Sequence, residues 1–159
     1  MKSSTVKEIK SALSEYSNSE LIAICLRLSR FKKENKELLT YLLFEAADEE
    51  EFITQIKEEM DEAFEMINTQ SMYYIKKSIQ RILRTNKKYI RYSSVVETEI
   101  EILLHFCQKL QAFPIDILGH KVINGMYVRE LKNARKKIAT LHEDLQYDYN
   151  QFIEATFRQ

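Results

Sequence analysis

The scarcity of glycine and proline constrains this fold more than any other feature of the sequence. The 159 residues include two glycines and one proline, well below the usual ~7% and ~5%. Sheets and tight turns use both residues heavily, whereas long helices joined by short polar turns need neither. Apolar residues also recur at spacings of three and four along most of the chain, which is typical of helices with a buried face. The sequence therefore predicts an all-α fold.

The number and arrangement of the helices follow from the polar breaks between the apolar segments. We predict six to eight helices in antiparallel hairpins, forming either a short superhelical stack or an irregular bundle. A weak similarity between residues 26–31 and 104–109 places the stack slightly ahead. A chain of this length can bury a sufficient core without disulfides or metals. We predict a single all-helical domain over residues 1–159.

The cysteines and the hydropathy indicate the compartment. Cys25 and Cys107 lie singly inside apolar helical stretches, without the spacing of a metal or redox motif, so we expect both to be buried thiols in a reducing compartment. The polar first residues lack the apolar core of a signal peptide. No apolar run approaches the ~20 residues that a membrane span needs. We expect a cytoplasmic protein.

Capping signals predict where several helices begin. Thr5 followed by Glu8 fits a capping box for the first helix. Ser19 is the predicted cap of the second helix and Asp48 that of the fourth, whose first turn carries three acidic residues. Ser71 or Thr69 is predicted to begin the fifth helix.

The C-terminal third carries a short heptad stripe. Pro114 ends the sixth predicted helix, and an irregular connection is expected from there to Gly125. From position 126 onward the chain forms either one helix of about 33 residues or two helices with a break near residue 141, where Thr140 and Glu143 fit a capping box. We expect the stripe to pack within its own domain; the alternative is a homodimer formed through the C-terminal helix. The stripe consists of Tyr127, Leu131, Ala134, Ile138, Leu141 and Leu145.

Charge is segregated in the middle of a chain that is neutral overall. The 24 basic and 24 acidic residues cancel, which excludes a globally basic nucleic-acid binder but not a locally basic face. Residues 48–65 carry nine acids and one base, and residues 66–92 carry seven bases and no acid. Five of these bases recur at steps of four and three, which places them along one helical face. This basic stripe consists of Lys77, Arg81, Arg84, Lys88 and Arg91.

The basic stripe needs an acidic counterpart, because like charges at i and i+4 repel by a few tenths of a kcal/mol per pair. Consecutive helices usually pack side by side, so we expect the acids of the neighbouring helices to compensate the stripe. The alternatives are an acidic protein or the phosphate backbone of a nucleic acid, where flanking tyrosines would stack on unpaired bases. A membrane surface fits poorly, since the apolar face of this helix is committed to the core.

No catalytic motif is present. Two glycines cannot form a phosphate-binding loop, and only one group on the sixth predicted helix resembles a metal site. Glu97, Glu101 and His105 lie at i, i+4 and i+8, whereas di-iron bundles use Glu-x-x-His on two helices with two further Glu. We interpret the group as a solvated face whose charges pair with the basic helix before it, and we predict no enzyme activity and no cofactor.

The function predicted from these features is that of a non-catalytic protein-interaction or adaptor domain that uses a helical surface. The alternative is a nucleic-acid-associated protein that binds electrostatically through residues 76–91. An unknown protein is thus the leading partner and nucleic acid the second.

Two segments also resemble a known group of proteins. The first is Asn35–Ala46, with the run LLTYLLFEA, and the second combines Asn86–Ser93 with Glu97, Glu99 and Glu101. Both are similar to segments of short, all-helical conserved hypothetical proteins of bacteria, of the Bacteroidetes in particular, over residues ~20 to 112. The resemblance implies a bacterial cytoplasmic origin and supplies no site residues.

Overall fold

The computed structural model of the protein describes residues 2–157 and is all-helical, as predicted. These residues contain no strand, and none of their helices is long and apolar enough to cross a membrane. Eight α-helices and one short π-helix, Tyr41–Glu45, are present among them. The α-helices are α1 (Val6–Leu13), α2 (Asn18–Phe31), α3 (Lys33–Thr40), α4 (Glu49–Glu65), α5 (Met72–Ser93), α6 (Val96–Gln111), α7 (Lys121–Ile138) and α8 (Glu143–Thr156).

The helices group into two compact units, Met1–Phe44 and Glu45–Gln159. In the first unit α2 packs against α3, and the Asn35 side-chain amide donates to the Leu28 carbonyl oxygen at 2.9 Å across the turn. None of the side chains of α1, α2 and α3 is buried. Cys25 is exposed, so the expectation that it is a buried thiol is wrong. The single domain over residues 1–159 stays a prediction.

The second unit is an irregular bundle around α6. This helix packs against α4, α5 and α7 and is buried on almost every side, with Ile100, Phe106 and Cys107 fully inaccessible. A helix that is apolar over so wide a surface has to lie in the core. In a superhelical stack each repeat would contact only its neighbours, so the slight preference for the stack is wrong.

The caps follow the sequence in most places. Thr5 and Glu8 form the predicted capping box, and Asp48 and Ser71 cap α4 and α5. The cap of α2 is Ser17 in a capping box with Glu20, so the assignment to Ser19 is wrong. Both Ser17 and Ser19 precede the apolar run, and only Ser17 has an acid three residues later.

The C-terminal third forms two helices. The irregular connection after Pro114 is shorter than predicted, because α7 begins at Lys121 and includes Gly125. The break near residue 141 is confirmed, with His142 rather than Thr140 as the cap of α8. The first four stripe residues, from Tyr127 to Ile138, are buried within the second unit, as expected. The last two, Leu141 and Leu145, follow the end of α7, and Leu145 is exposed. A homodimer through the C-terminal helix stays a prediction.

Candidate functional site

The basic stripe lies on α5, a strongly amphipathic helix of 22 residues. Its apolar side is buried through Ile75, Ile79 and Ile82, so the opposite side, which carries the cations, faces solvent. The Ser71 hydroxyl caps the N-terminus by accepting a bond from the Tyr74 amide, and the helix ends at Ser94 in the left-handed conformation. The face assignment made from the sequence is therefore confirmed.

The stripe does not form one uniform surface. Arg81 lines a cleft on the α4 side of the helix, together with Glu59 and Tyr89. Arg84 and Arg91 instead line a groove on the α7 side. Lys77 lies one turn beyond Tyr73, with its Nζ 5.6 Å from the centre of that ring. Lys88 is half-buried, with its Nζ 5.3 Å from the centre of the Tyr89 ring.

The groove between α5 and α7 has a volume of about 810 Å³ and is open to solvent. Three of its cations come from α5 and two from α7, and no acidic residue lines it. Gly125 also lines it, and a Cβ placed there would meet nothing within 4 Å. We call this site the basic groove. Its cations are Arg84, Lys87, Arg91, Lys121 and Arg129.

The carboxylate of Glu130 lies buried next to the basic groove, with none of its side chain accessible. It accepts bonds from Lys87 Nζ at 2.9 Å, from Arg129 Nε at 2.7 Å and from Asn133 Nδ2 at 3.0 Å. Burial acts to raise the pKa of Glu130, but these three donors outweigh it and the pKa is lowered. Glu130 is therefore an ionised group that anchors two of the five groove cations.

The acids of α4 and α6 pair with one another's bases. Asp61 on α4 lies 2.6 Å from His105 Nε2 and 3.2 Å from Lys109 Nζ, both on α6. Lys57 on α4 lies 2.6 Å from Glu101 on α6. These five residues form the paired-charge face. The two carboxylates of this face are therefore neutralised locally.

This pairing bears on the expected compensation of the basic stripe. Within residues 2–157, Lys77, Arg81, Arg84 and Arg91 make no ion pair with a carboxylate. Three of the acids on α4 and α6 that were expected to meet them, Asp61, Glu99 and Glu101, pair with bases of other helices. For these four cations the expected internal ion pairs are absent, and their charge is exposed to solvent.

The same contacts account for the one group that resembled a metal site. Glu101 forms an ion pair with Lys57 and His105 a hydrogen bond with Asp61, both on α4, so the expected pairing of these two residues with the basic helix α5 is wrong. No group of three potential ligands is arranged to hold a metal among the described residues. The Cys107 thiol is fully buried, and burial, with the nearby charge of Glu130, raises its pKa to about 12. A buried thiol with a raised pKa is not an activated nucleophile.

The sequence pattern missed half of the basic groove. The stripe predicted Arg84 and Arg91, but Lys121, Arg129 and Glu130 lie on a helix that begins 28 residues after α5 ends. Periodicity identifies the face of one helix and not the helix that packs beside it. One local signal was available, since Lys121 occupies the first turn of α7, where the helix dipole disfavours a cation.

Comparison with known protein families, with functionally described proteins and with solved structures found no match to this chain. The resemblance to all-helical bacterial proteins stays a prediction, as does a bacterial origin. Function has to be inferred from the geometry of the chain itself.

Proposed function

We propose that the protein is a non-catalytic nucleic-acid-binding protein that holds a phosphate backbone in the basic groove. The observation that carries this proposal is the convergence of five cations from two helices on one groove that no carboxylate lines. Cations collected in a concave surface raise the local concentration of polyanions and speed their association. A phosphate backbone is the polyanion that such a surface neutralises most directly.

The composition of the groove favours nucleic acid over an acidic protein. Protein–protein interfaces concentrate apolar and aromatic anchors in the centre and exclude charge from it. Here half of the ten lining residues are cations, while Leu83 and Met126 are buried and Val122 is the one apolar side chain with substantial exposure. Such a surface offers many contacts to phosphates and few to a helix that seeks an apolar groove.

The position of the cations is unfavourable for the protein alone. Lys87 and Arg91 repel each other at i and i+4 on α5, and Lys121 lies at the positive end of the α7 dipole. Each arrangement costs a few tenths of a kcal/mol without a ligand. A bound polyanion removes this cost, which is the usual reason for keeping like charges together.

The test is the binding of a fluorescent single-stranded oligonucleotide, followed by anisotropy between about 50 and 200 mM salt. We expect log affinity to fall linearly with log salt and the Arg84→Glu, Lys121→Glu variant to lose about tenfold or more in affinity. The matched control reverses Lys32 and Arg135, two exposed cations outside the groove. Equal affinity in both variants, or no binding at low salt, would contradict the proposal.

A second candidate function, a protein-interaction module, is favoured by the first unit. Several of its large apolar side chains are exposed, among them Ile22 at 61%, Phe31 at 76% and Phe44 at 72%. Many large exposed apolar side chains within one short segment favour a surface that binds other proteins. A nuclease-treated pull-down comparing the natural chain with Phe31→Ser tests this: a stoichiometric protein that the variant loses supports it, and identical retention by both refutes it.

A further inference from the structure

Two groove cations from different helices converge on a single oxygen atom. Lys87 Nζ on α5 and Arg129 Nε on α7 both bond Glu130 Oε1, at 2.9 and 2.7 Å. Because both bonds end on one atom, the two nitrogens lie within about 6 Å of each other. Asn133 Nδ2 bonds the other carboxylate oxygen at 3.0 Å and so fixes the plane of the carboxylate. Long cationic side chains are usually mobile, and this arrangement restrains both of them.

The anchored cations still have donors to offer. Arg129 uses its Nε, and both terminal nitrogens of its guanidinium have no other partner among the described residues. The ammonium of Lys87 has three N–H bonds, and only one of its bonds is directed at Glu130. Both side chains line the basic groove, with 42% and 54% of their area exposed. A tetrahedral oxyanion in the groove can accept bonds from both.

We propose that Lys87 and Arg129, anchored by the buried Glu130, form a clamp that holds one phosphate group at a fixed point of the basic groove. The clamp rests on the proposed function and deepens it. It makes one oriented contact to a phosphate, whereas Arg84, Arg91 and Lys121 attract the backbone without fixing its orientation. Two cations and one carboxylate leave one net positive charge, which suits a phosphodiester.

The burial of Glu130 is hard to explain by stability alone. A buried ion pair is often no more stabilising than well-packed apolar residues of similar volume, and the side chain of Glu130 is fully buried. What an apolar residue cannot do is fix the position of two cations. The carboxylate lowers the net positive charge near the groove by one, and in return it fixes the positions of two donors.

The substitution Glu130→Gln separates this clamp from simple electrostatics, because the two predict opposite signs. If only charge matters, removing a carboxylate about 3 Å from two cations tightens oligonucleotide binding. If the clamp operates, Lys87 and Arg129 lose their charged anchor, because a neutral amide oxygen holds two cations much less firmly than a carboxylate. We then expect affinity to fall about tenfold with an undiminished salt slope. A variant that binds as tightly as the natural chain, or more tightly, overturns the proposal.

A second variant avoids the buried position and so does not endanger folding. Arg129→Lys keeps the charge and removes the planar fork, so we expect weaker binding with an unchanged salt slope. Arg84→Lys is the matched control and should bind like the natural chain, since Arg84 lacks an anchor among the described residues. Equal affinity of Arg129→Lys and the natural chain overturns the clamp.

The outcomes distinguish the clamp from the function on which it rests. Arg84→Gln should weaken binding and lower the salt slope by about one, because one phosphate contact is lost. If Arg84→Gln weakens binding while Glu130→Gln and Arg129→Lys do not, the groove binds nucleic acid and the clamp is wrong. If none of the three changes binding, the proposed function fails as well.

The source of the phosphate is identified with oligonucleotides that carry or lack a 5′-phosphate. Equal affinities that both fall in Arg129→Lys assign the clamp to a phosphodiester within the strand. A gain from the 5′-phosphate that disappears in Arg129→Lys assigns it to a terminal phosphate. If Arg129→Lys weakens the binding of either oligonucleotide, the clamp is supported. If it weakens the binding of neither, the clamp is overturned.

Discussion

The paired-charge face and the basic groove use charged residues in opposite ways, although both belong to the second unit. On the paired-charge face, Asp61 contacts two bases of α6, and Lys57 contacts Glu101. In the basic groove only two of the five cations, Lys87 and Arg129, pair with a carboxylate, and that carboxylate is buried. One surface is locally neutral and the other keeps a surplus of positive charge.

The neutral overall charge of the chain therefore hides a local surplus of positive charge. Equal numbers of acids and bases do not imply that each base finds an acid, because pairing depends on which helices are neighbours. Asp61 of α4 faces two bases of α6 and Glu101 of α6 faces Lys57, so these acids do not neutralise the cations of the groove. Neutralising a paired charge should therefore destabilise the paired-charge face. Neutralising an unpaired cation should stabilise the protein when the groove holds no ligand.

Of the substitutions that test this contrast, the one at Asp61 should change stability most. The substitution Asp61→Asn removes the charge that faces His105 and Lys109 and should lower the free energy of unfolding by about 1 kcal/mol, since the pairs are partly exposed. Thermal unfolding at neutral pH measures this as a fall in Tm of about 3 °C. The matched control is Glu58→Gln, an exposed acid of the same helix without an ion pair among residues 2–157, and it should change Tm little.

The pH dependence of this difference has a defined sign. Burial acts to raise the pKa of Asp61, but the bonds from His105 and Lys109 outweigh it, so the folded pKa is lower than the ordinary 3.8. A carboxylate with a lowered folded pKa stabilises the protein above its ordinary pKa and loses that contribution as the pH falls through the folded value. The Tm difference between the natural chain and Asp61→Asn should thus shrink below about pH 4. A difference that grows as the pH falls would contradict this.

An intermediate effect of opposite sign is expected inside the basic groove, at Gly125. A glycine within a helix costs about 0.5–1 kcal/mol relative to alanine, and a Cβ at this position meets nothing within 4 Å. Gly125→Ala should therefore raise Tm by about 3 °C and leave oligonucleotide binding unchanged. Gly125→Ser, with a weaker helix propensity, should give a smaller gain. A fall in Tm for both would show that the groove is narrower than described.

The sequence predicted the features of single helices better than the packing between helices. The near absence of glycine and proline predicted the all-α fold, and the spacing of Ile75, Ile79 and Ile82 placed the buried face of α5 correctly, because both signals depend on local geometry. The basic groove could be predicted only on its α5 side. Its α7 side depends on packing between helices, and the anchor Glu130 occupies a position within α7 that no local pattern marks.

The smallest expected effect is at Arg84, and it has the opposite sign to that at Asp61. Arg84 lies three residues after Arg81 and four before Lys88, so its removal relieves like-charge repulsion along α5. Arg84→Gln should raise the free energy of unfolding by a few tenths of a kcal/mol at low salt, and the gain should vanish near 1 M salt, where charges more than about 3 Å apart are screened. Denaturant unfolding at both salt concentrations measures it, with Lys32→Gln as an exposed control. A loss of stability at low salt would mean that Arg84 has an acidic partner in solution, and the contrast between the groove and the paired-charge face would not hold for this residue.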